Sequence, residues 1–304
     1  MRLDDYDPNI NVEDQRGSGG GGGGFGGGGG GLLMGLLPMI GSRFGCGGIV
    51  VVLILMAVFG GMGGLGGLLG GGQTSAPTTQ SGPRSGTDTK SSCSLNAESK
   101  AACNAFSSAD KTWEKIFAQN GQTFRAPGLS FFDQNGRSGC GAAQSAMGPF
   151  YCPTDQRIYL DTSFFNELAN RFGAKGDFAQ DYVIAHEFGH HIQNLLGTSD
   201  KVQQIQRSSD ERTGNAASVR LELQADCYAG VWAAQNRDRL EPGDIQEGLT
   251  AAHAIGDDTL QKEAQGRVVP DSFTHGTSAQ RVYWLKHGFE TGDPAQCDTF
   301  NGAV

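Results

Sequence analysis

Residues 17–31 read GSGGGGGGFGGGGGG, and no chain can build a core out of such a stretch. Glycine has no side chain to bury and loses more backbone freedom on ordering than any other residue. Of 304 residues, 49 are glycine, more than twice the usual ~7%, and they are concentrated in residues 1–72. The globular part must lie behind them, and the remainder suits one domain burying roughly 70% of its unfolded surface. The formal net charge of −9 leaves no basic footprint and so argues against a nucleic-acid partner.

Composition divides the front of the chain. Residues 1–43, a short acidic start and the glycine tract, read as a flexible, Gly-rich cytoplasmic tail. No charged residue falls between Arg43 and Arg84, and GGIVVVLILMAVFGGMGGLGGLLGG supplies about the ~20 residues a bilayer-spanning helix needs. A single transmembrane helix is therefore expected over residues 44–70, in contact with the lipid bilayer. It begins too far from the N-terminus for a cleaved signal peptide. Gly60 and Gly64 form a small-xxx-small pair that would let two spans make a homodimer. Residues 71–92 read as a Pro/Ser/Thr-rich linker, and residues 93–304 as the folded domain.

Arg43 abuts the front of the span, while the next basic residues are Arg84 and Lys90, which orients the N-terminus towards the cytoplasm. Six cysteines follow the span: Cys93, Cys103, Cys140, Cys152, Cys227 and Cys297. An even set on one side fits an oxidising compartment. The expected location is a bacterial inner membrane, crossed once, with the domain in the periplasm. Proximity in sequence pairs Cys93 with Cys103 and Cys140 with Cys152, leaving Cys227 for Cys297.

The stretch DYVIAHEFGHHIQ, residues 181–193, carries the chemistry. Residues 178–196 favour helix, with Gly197 placed to end it. On that helix His186 and His190 are four apart, so both imidazoles point the same way and can grip one ion. Glu187 beside them completes HExxH, two zinc ligands and a carboxylate that takes a proton from a metal-activated water. His191 points about 100° away and suits a local hydrogen bond. Zinc with one open position needs a third protein donor. Glu222 in SVRLELQADCYAGVW, a second helix from about Ala216, is the candidate, because a carboxylate in so apolar a stretch demands a partner. Asp226, one turn on, is suited to accept the other N–H of His186. His253 is the rival third ligand, and His287 reads as a surface residue.

HEFGH followed by ELQAD resembles the gluzincin metallopeptidases, in particular the membrane-linked group with an E-x-x-A-D second motif. The whole pattern, from the Gly-rich head to ELQADCYAGVWA, is similar to the bacterial neutral zinc metallopeptidases of the YpfJ type. The resemblance implies a predominantly helical α+β, zincin-like metallopeptidase domain behind the span, holding one Zn2+ per chain. Downstream, THGTSAQR is similar to a T-H-P-x-x-x-R element of the membrane-linked gluzincins, with Gly276 where proline is common. It implies that His275 stabilises an oxyanion and that Arg281 orients substrate. Zincin-like proteases run a sheet edge along the cleft, and residues 141–147 are the expected edge for a peptide or protein substrate.

The reading is thus a membrane-anchored zinc peptidase with Glu187 as general base. The competing reading is a catalytically silent zincin-like domain that captures exported peptides or proteins, which would have no need of Glu187.

Overall fold

The computed structural model describes residues 1–17 and 88–301. The expected transmembrane helix over residues 44–70 lies outside them. Among the described residues no helix is long and apolar enough to cross a membrane.

The architecture is α+β and mostly helical. After β1 (Val12–Asp14) come α1 (Thr89–Cys93) and α2 (Ala97–Gln119), then a strand-rich stretch of β2 (Gly128–Phe131), β3 (Asn135–Ser138), β4 (Gly141–Gln144), β5 (Phe150–Cys152) and β6 (Arg157–Leu160). The rest is helical: α3 (Ser163–Asn170), α4 (Asp177–Leu195), α5 (Thr198–Ser208), α6 (Glu211–Gln235), α7 (Asp244–Ala254), α8 (Asp257–Gln265) and α9 (Ser278–Thr291). One sheet has the order β1-β2-β6-β5, with β5 antiparallel to β6 and the other pairs parallel; β3 and β4 form a separate hairpin.

Local chemistry sets the helix ends. The side chain of Asn96 accepts from the Ser99 amide at the start of α2, and Asp210 from the Thr213 amide at the start of α6. The second helix therefore begins five residues before the expected Ala216, because its first turn is polar and invisible to an apolar pattern. Gly197, at φ 73°, leaves α4 in the left-handed region that favours glycine. Buried Phe178, Tyr182, Ile184, Phe188 and Ile192 make α4 the central helix, packed between α2, α6 and α7. Helix α9 lies almost in contact with α6: a Cβ on Gly288 would sit 2.0 Å from the Cys227 carbonyl oxygen. Cys93–Cys103, Cys140–Cys152 and Cys227–Cys297 are all disulfides, the pairing expected from sequence.

Two expectations are corrected. The flexible tail over residues 1–43 does not hold for residues 1–17, which are built into the domain. Strand β1 extends the sheet beside β2, with Val12 opposite Leu129 and Asp14 opposite Phe131. Met1 and Ile10 are buried, and the guanidinium of Arg16 lies 2.6 Å from Asp14 and 4.4 Å above the Phe131 ring. Three residues of strand are too few to register as periodicity, so the sequence hides this. The expected cleft edge over residues 141–147 is also revised: β4 pairs only with β3, and the sheet edge bordering the cleft is β5. Ser145–Met147 form a 3-10 turn that lines the same cleft.

One half-buried carboxylate works against the fold. Asp110 on α2 has an oxygen buried with no hydrogen-bond partner, and burial, with Glu114 and Asp7 nearby, pushes its pKa up to about 6. An acid raised in the folded state opposes folding once pH exceeds its unfolded value, and fully above the folded one. Asp110→Asn is expected to stabilise the chain at pH 7 by on the order of 1–2 kcal/mol, discounted for partial exposure. Thermal unfolding at pH 7 and pH 4 checks this, since the gain should vanish at the lower pH.

Candidate metal centre

Helices α4 and α6 cross closely where Gly189 faces Ala225; a Cβ there would meet the Ala225 carbonyl oxygen at 3.0 Å. That approach brings His186, His190 and Glu222 together, with one ligand atom from each lying within 4.8 Å of the others. Nε2 of His186 is 3.2 Å from Glu222 Oε2, and Nε2 of His190 is 3.4 Å from Glu222 Oε1. Tetrahedral ligands at the usual zinc distances of ~2.0–2.1 Å are about 3.3 Å apart, so these spacings suit zinc.

Both imidazoles have their other nitrogen engaged. His186 Nδ1 lies 2.8 Å from Asp226 Oδ1, and His190 Nδ1 lies 2.9 Å from Gln193 Oε1. With protons held on the Nδ1 atoms, two Nε2 lone pairs and a carboxylate converge, an arrangement that repels itself unless positive charge sits between. A proton or a divalent cation supplies that charge. Burial pulls the His186 pKa down, but Asp226 and Glu222 outweigh it and push it up to about 9. Burial raises the Glu222 carboxyl, yet His190 and His186 hold it well below the usual carboxylate range. The donor set therefore fits a resident zinc ion.

Asp226 is fully buried and anchors a network that sequence reasoning reaches only in part. Besides His186, it accepts from the Tyr182 hydroxyl at 2.6 Å and from Arg281, whose Nε and Nη2 lie 2.8 and 2.9 Å away. Arg281 is 2% exposed, and its fork is turned onto this carboxylate. Arg281, expected to orient substrate, lines the cleft while its guanidinium is held on Asp226, which in turn contacts His186. Tyr182, one turn before His186, is the member that sequence reasoning misses, although the four-residue spacing is its signal.

His275 lines the same cleft as Glu187 and the three candidate ligands. Its Nδ1 lies 3.1 Å from Asp257 Oδ1, while Asp257 Oδ2 accepts from the amides of Thr274 and His275 at 2.7 and 2.6 Å. Burial lowers the His275 pKa, but Asp257 more than compensates and raises it. Gly276 has φ 91°, which proline cannot adopt, and four residues rather than three separate it from Arg281. This loop therefore differs from the element it resembles. His253 sits exposed on α7, and the candidate metal group does not include it. His191 is buried, between the Tyr151 hydroxyl at 3.0 Å and the Arg125 carbonyl at 2.6 Å, and burial drives its pKa down to about 4. The His287 ring lies 3.2 Å from the Gln296 carbonyl, against the rings of Tyr283 and Trp284.

Glu187 is buried, and burial raises its pKa above the usual carboxylate value. The cleft encloses about 710 Å³, with Met147, Phe150, Phe164, Val183, Ile255 and Leu260 along its apolar walls. A second acidic group, Asp177, Asp244 and Glu247, lies outside the cleft, with the Met1 ammonium 2.7 Å from Asp177 and 3.2 Å from Asp244.

Comparison with known proteins agrees on the class. An Escherichia coli protein called uncharacterized protein YpfJ is 55% identical over 197 residues, covering 64% of this chain and 69% of its own length. An uncharacterized Mycobacterium tuberculosis protein is 44% identical over 209 residues, covering 64% of this chain and 68% of its own. No solved structure matches. A family model described as "Putative neutral zinc metallopeptidase" matches residues 1–300, and the chain belongs to that family.

Proposed function

We propose that the chain is a zinc-dependent peptidase with a zincin-like domain, in which His186, His190 and Glu222 hold one Zn2+ and Glu187 is the general base. The observation that carries this is the convergence of two Nε2 atoms and a carboxylate beside a buried glutamate in an open cleft. Zinc bound there would polarise the scissile carbonyl and acidify a water. Glu187, its basicity raised by burial, takes the proton from the attacking water at its carboxylate and passes it to the leaving amine nitrogen. His275 keeps its Nδ1 on Asp257, which favours the doubly protonated ring and leaves Nε2–H to donate to the oxyanion. The free side of β5 offers an extended peptide a main-chain partner along the cleft.

Purified full chain loaded with zinc is expected to cleave a denatured protein, to stop on addition of a chelator, and to recover with added zinc. Binding of the denatured protein without cleavage would favour the silent capture domain instead.

The same reading places the domain in an oxidising compartment, because its three disulfides would not persist among reducing thiols. We further infer an orientation other than the expected one. Strands joined by backbone hydrogen bonds cannot lie on opposite sides of a ~30 Å hydrocarbon layer, so the β1–β2 pair favours one compartment for residues 1–17 and 88–301. A chain that enters a membrane between them must return to the side it left. Single cysteines at Asp4 and Leu95, both exposed, are expected to react alike with a membrane-impermeant maleimide in cells. Labelling at position 95 with protection at position 4 would contradict this.

A further inference from the structure

We infer that the disulfide-pinned C-terminal tail selects the metal-binding tautomer of His190 through two buried amides, Gln193 and Gln224. The inference rests on the zinc site proposed above and goes beyond it, since neither glutamine touches the ion's place.

The direction of the chain of hydrogen bonds is set at its far end. A backbone carbonyl can only accept, and that of Cys297 lies 2.9 Å from Gln224 Nε2. This turns Gln224 Oε1 the other way, towards Gln193 Nε2 at 3.2 Å. The second N–H of Gln193 goes to the Leu221 carbonyl at 2.6 Å, again a group that can only accept. Gln193 must then present Oε1 to His190, 2.9 Å from Nδ1. An acceptor at that place puts the imidazole proton on Nδ1 and leaves Nε2 bare, facing Glu222 Oε1 at 3.4 Å. Were Gln193 reversed, its N–H would face Nδ1, the proton would move to Nε2, and that nitrogen could not take a metal.

Burial makes the relay matter. Gln193 is 0% exposed, Gln224 8% and Cys297 1%, so water is poorly placed to replace a lost partner. His186 needs no such arrangement. Its partner Asp226 is a carboxylate, an acceptor in every orientation, and Arg281 fixes it in place. The neutral amide on the His190 side has two unlike ends and must be aimed. The aiming point is held by the Cys227–Cys297 disulfide, and by the Thr299 hydroxyl, which donates to the Arg220 carbonyl at 2.6 Å. Gln193 and Gln224 are thus positioning residues for His190, acting through its tautomer.

A double-mutant cycle on the full chain tests this, read as zinc affinity by competition with a chelator. Gln224→Leu is expected to weaken zinc binding about 10–100-fold, as loss of an outer partner does. In a Gln193→Glu background the same change should have little effect, because a carboxylate accepts from Nδ1 in either orientation. Gln224→Asn, which keeps an amide but shortens its reach, should behave like Gln224→Leu and serves if the leucine variant does not fold. Wild-type zinc binding with unchanged affinity in the folded Gln224 variants overturns the inference alone. Equal losses in both backgrounds overturn it too, since they report general loosening of the helix pair. A wild-type chain that takes up no zinc overturns the inference together with the metal site.

Discussion

With glutamine in place of Glu187, the chain is expected to bind zinc as the wild type does, while kcat/KM for peptide cleavage falls about 10²–10⁴-fold. The amide fills the same volume, so the buried position beside His186 and His190 stays packed. What disappears is a site for the proton. The carboxyl of Glu187 has its pKa raised by burial, which strengthens it as a base, and an amide cannot accept and return a proton near neutral pH. Zinc content by mass spectrometry and steady-state kinetics on one peptide separate the two effects. Full activity in the variant would remove Glu187 from the mechanism and leave the two histidines without their catalytic companion.

Asp226→Ala is expected to act on stability more than any other single change at the centre. Asp226 is the shared partner of His186, Tyr182 and Arg281, all of them buried. Without it the Arg281 guanidinium is a buried charge lacking its carboxylate, and breaking a buried pair from one side costs about 3–5 kcal/mol. Zinc affinity should fall about 10–100-fold as well, because nothing holds the His186 proton on Nδ1. The double change Asp226→Leu with Arg281→Met should recover much of the stability and none of the zinc affinity, since apolar side chains remove the stranded charge without restoring the acceptor. Denaturant unfolding of the metal-free proteins reads the first effect and chelator competition the second. A loss below about 1 kcal/mol in Asp226→Ala would mean that Arg281 finds another partner and that the network is not as closed as its distances imply.

How much of this is legible in sequence depends on range. His186, Glu187 and His190 share one helix, so their grouping follows from four-residue spacing alone, as does the step from Glu222 to Asp226. The apolar surroundings of ELQAD flag Glu222 as a carboxylate in need of a partner, though not which one. Arg281 is the opposite case: it stands 55 positions from Asp226, and only the packing of α9 on α6 brings its fork to that carboxylate. Gln193 and Gln224 carry no signal in a sequence, because buried glutamines look like surface ones until their neighbours are placed. The cleft edge is shifted from residues 141–147 to β5 because β3 and β4 pair only with each other, which leaves β5 as the outer strand of the main sheet at the cleft. The strand at Val12–Asp14 is too short for periodicity and is separated from its partner β2 by the glycine tract.

The most direct test is the metal content of the purified chain, wild type beside His186→Ala, His190→Ala and Glu222→Ala. Elemental analysis should find about one zinc per wild-type chain, and each substitution should empty the site after dialysis against a mild chelator. Zinc that persists when Glu222 is lost, or that binds equally well without both histidines, would contradict a cation clasped between α4 and α6.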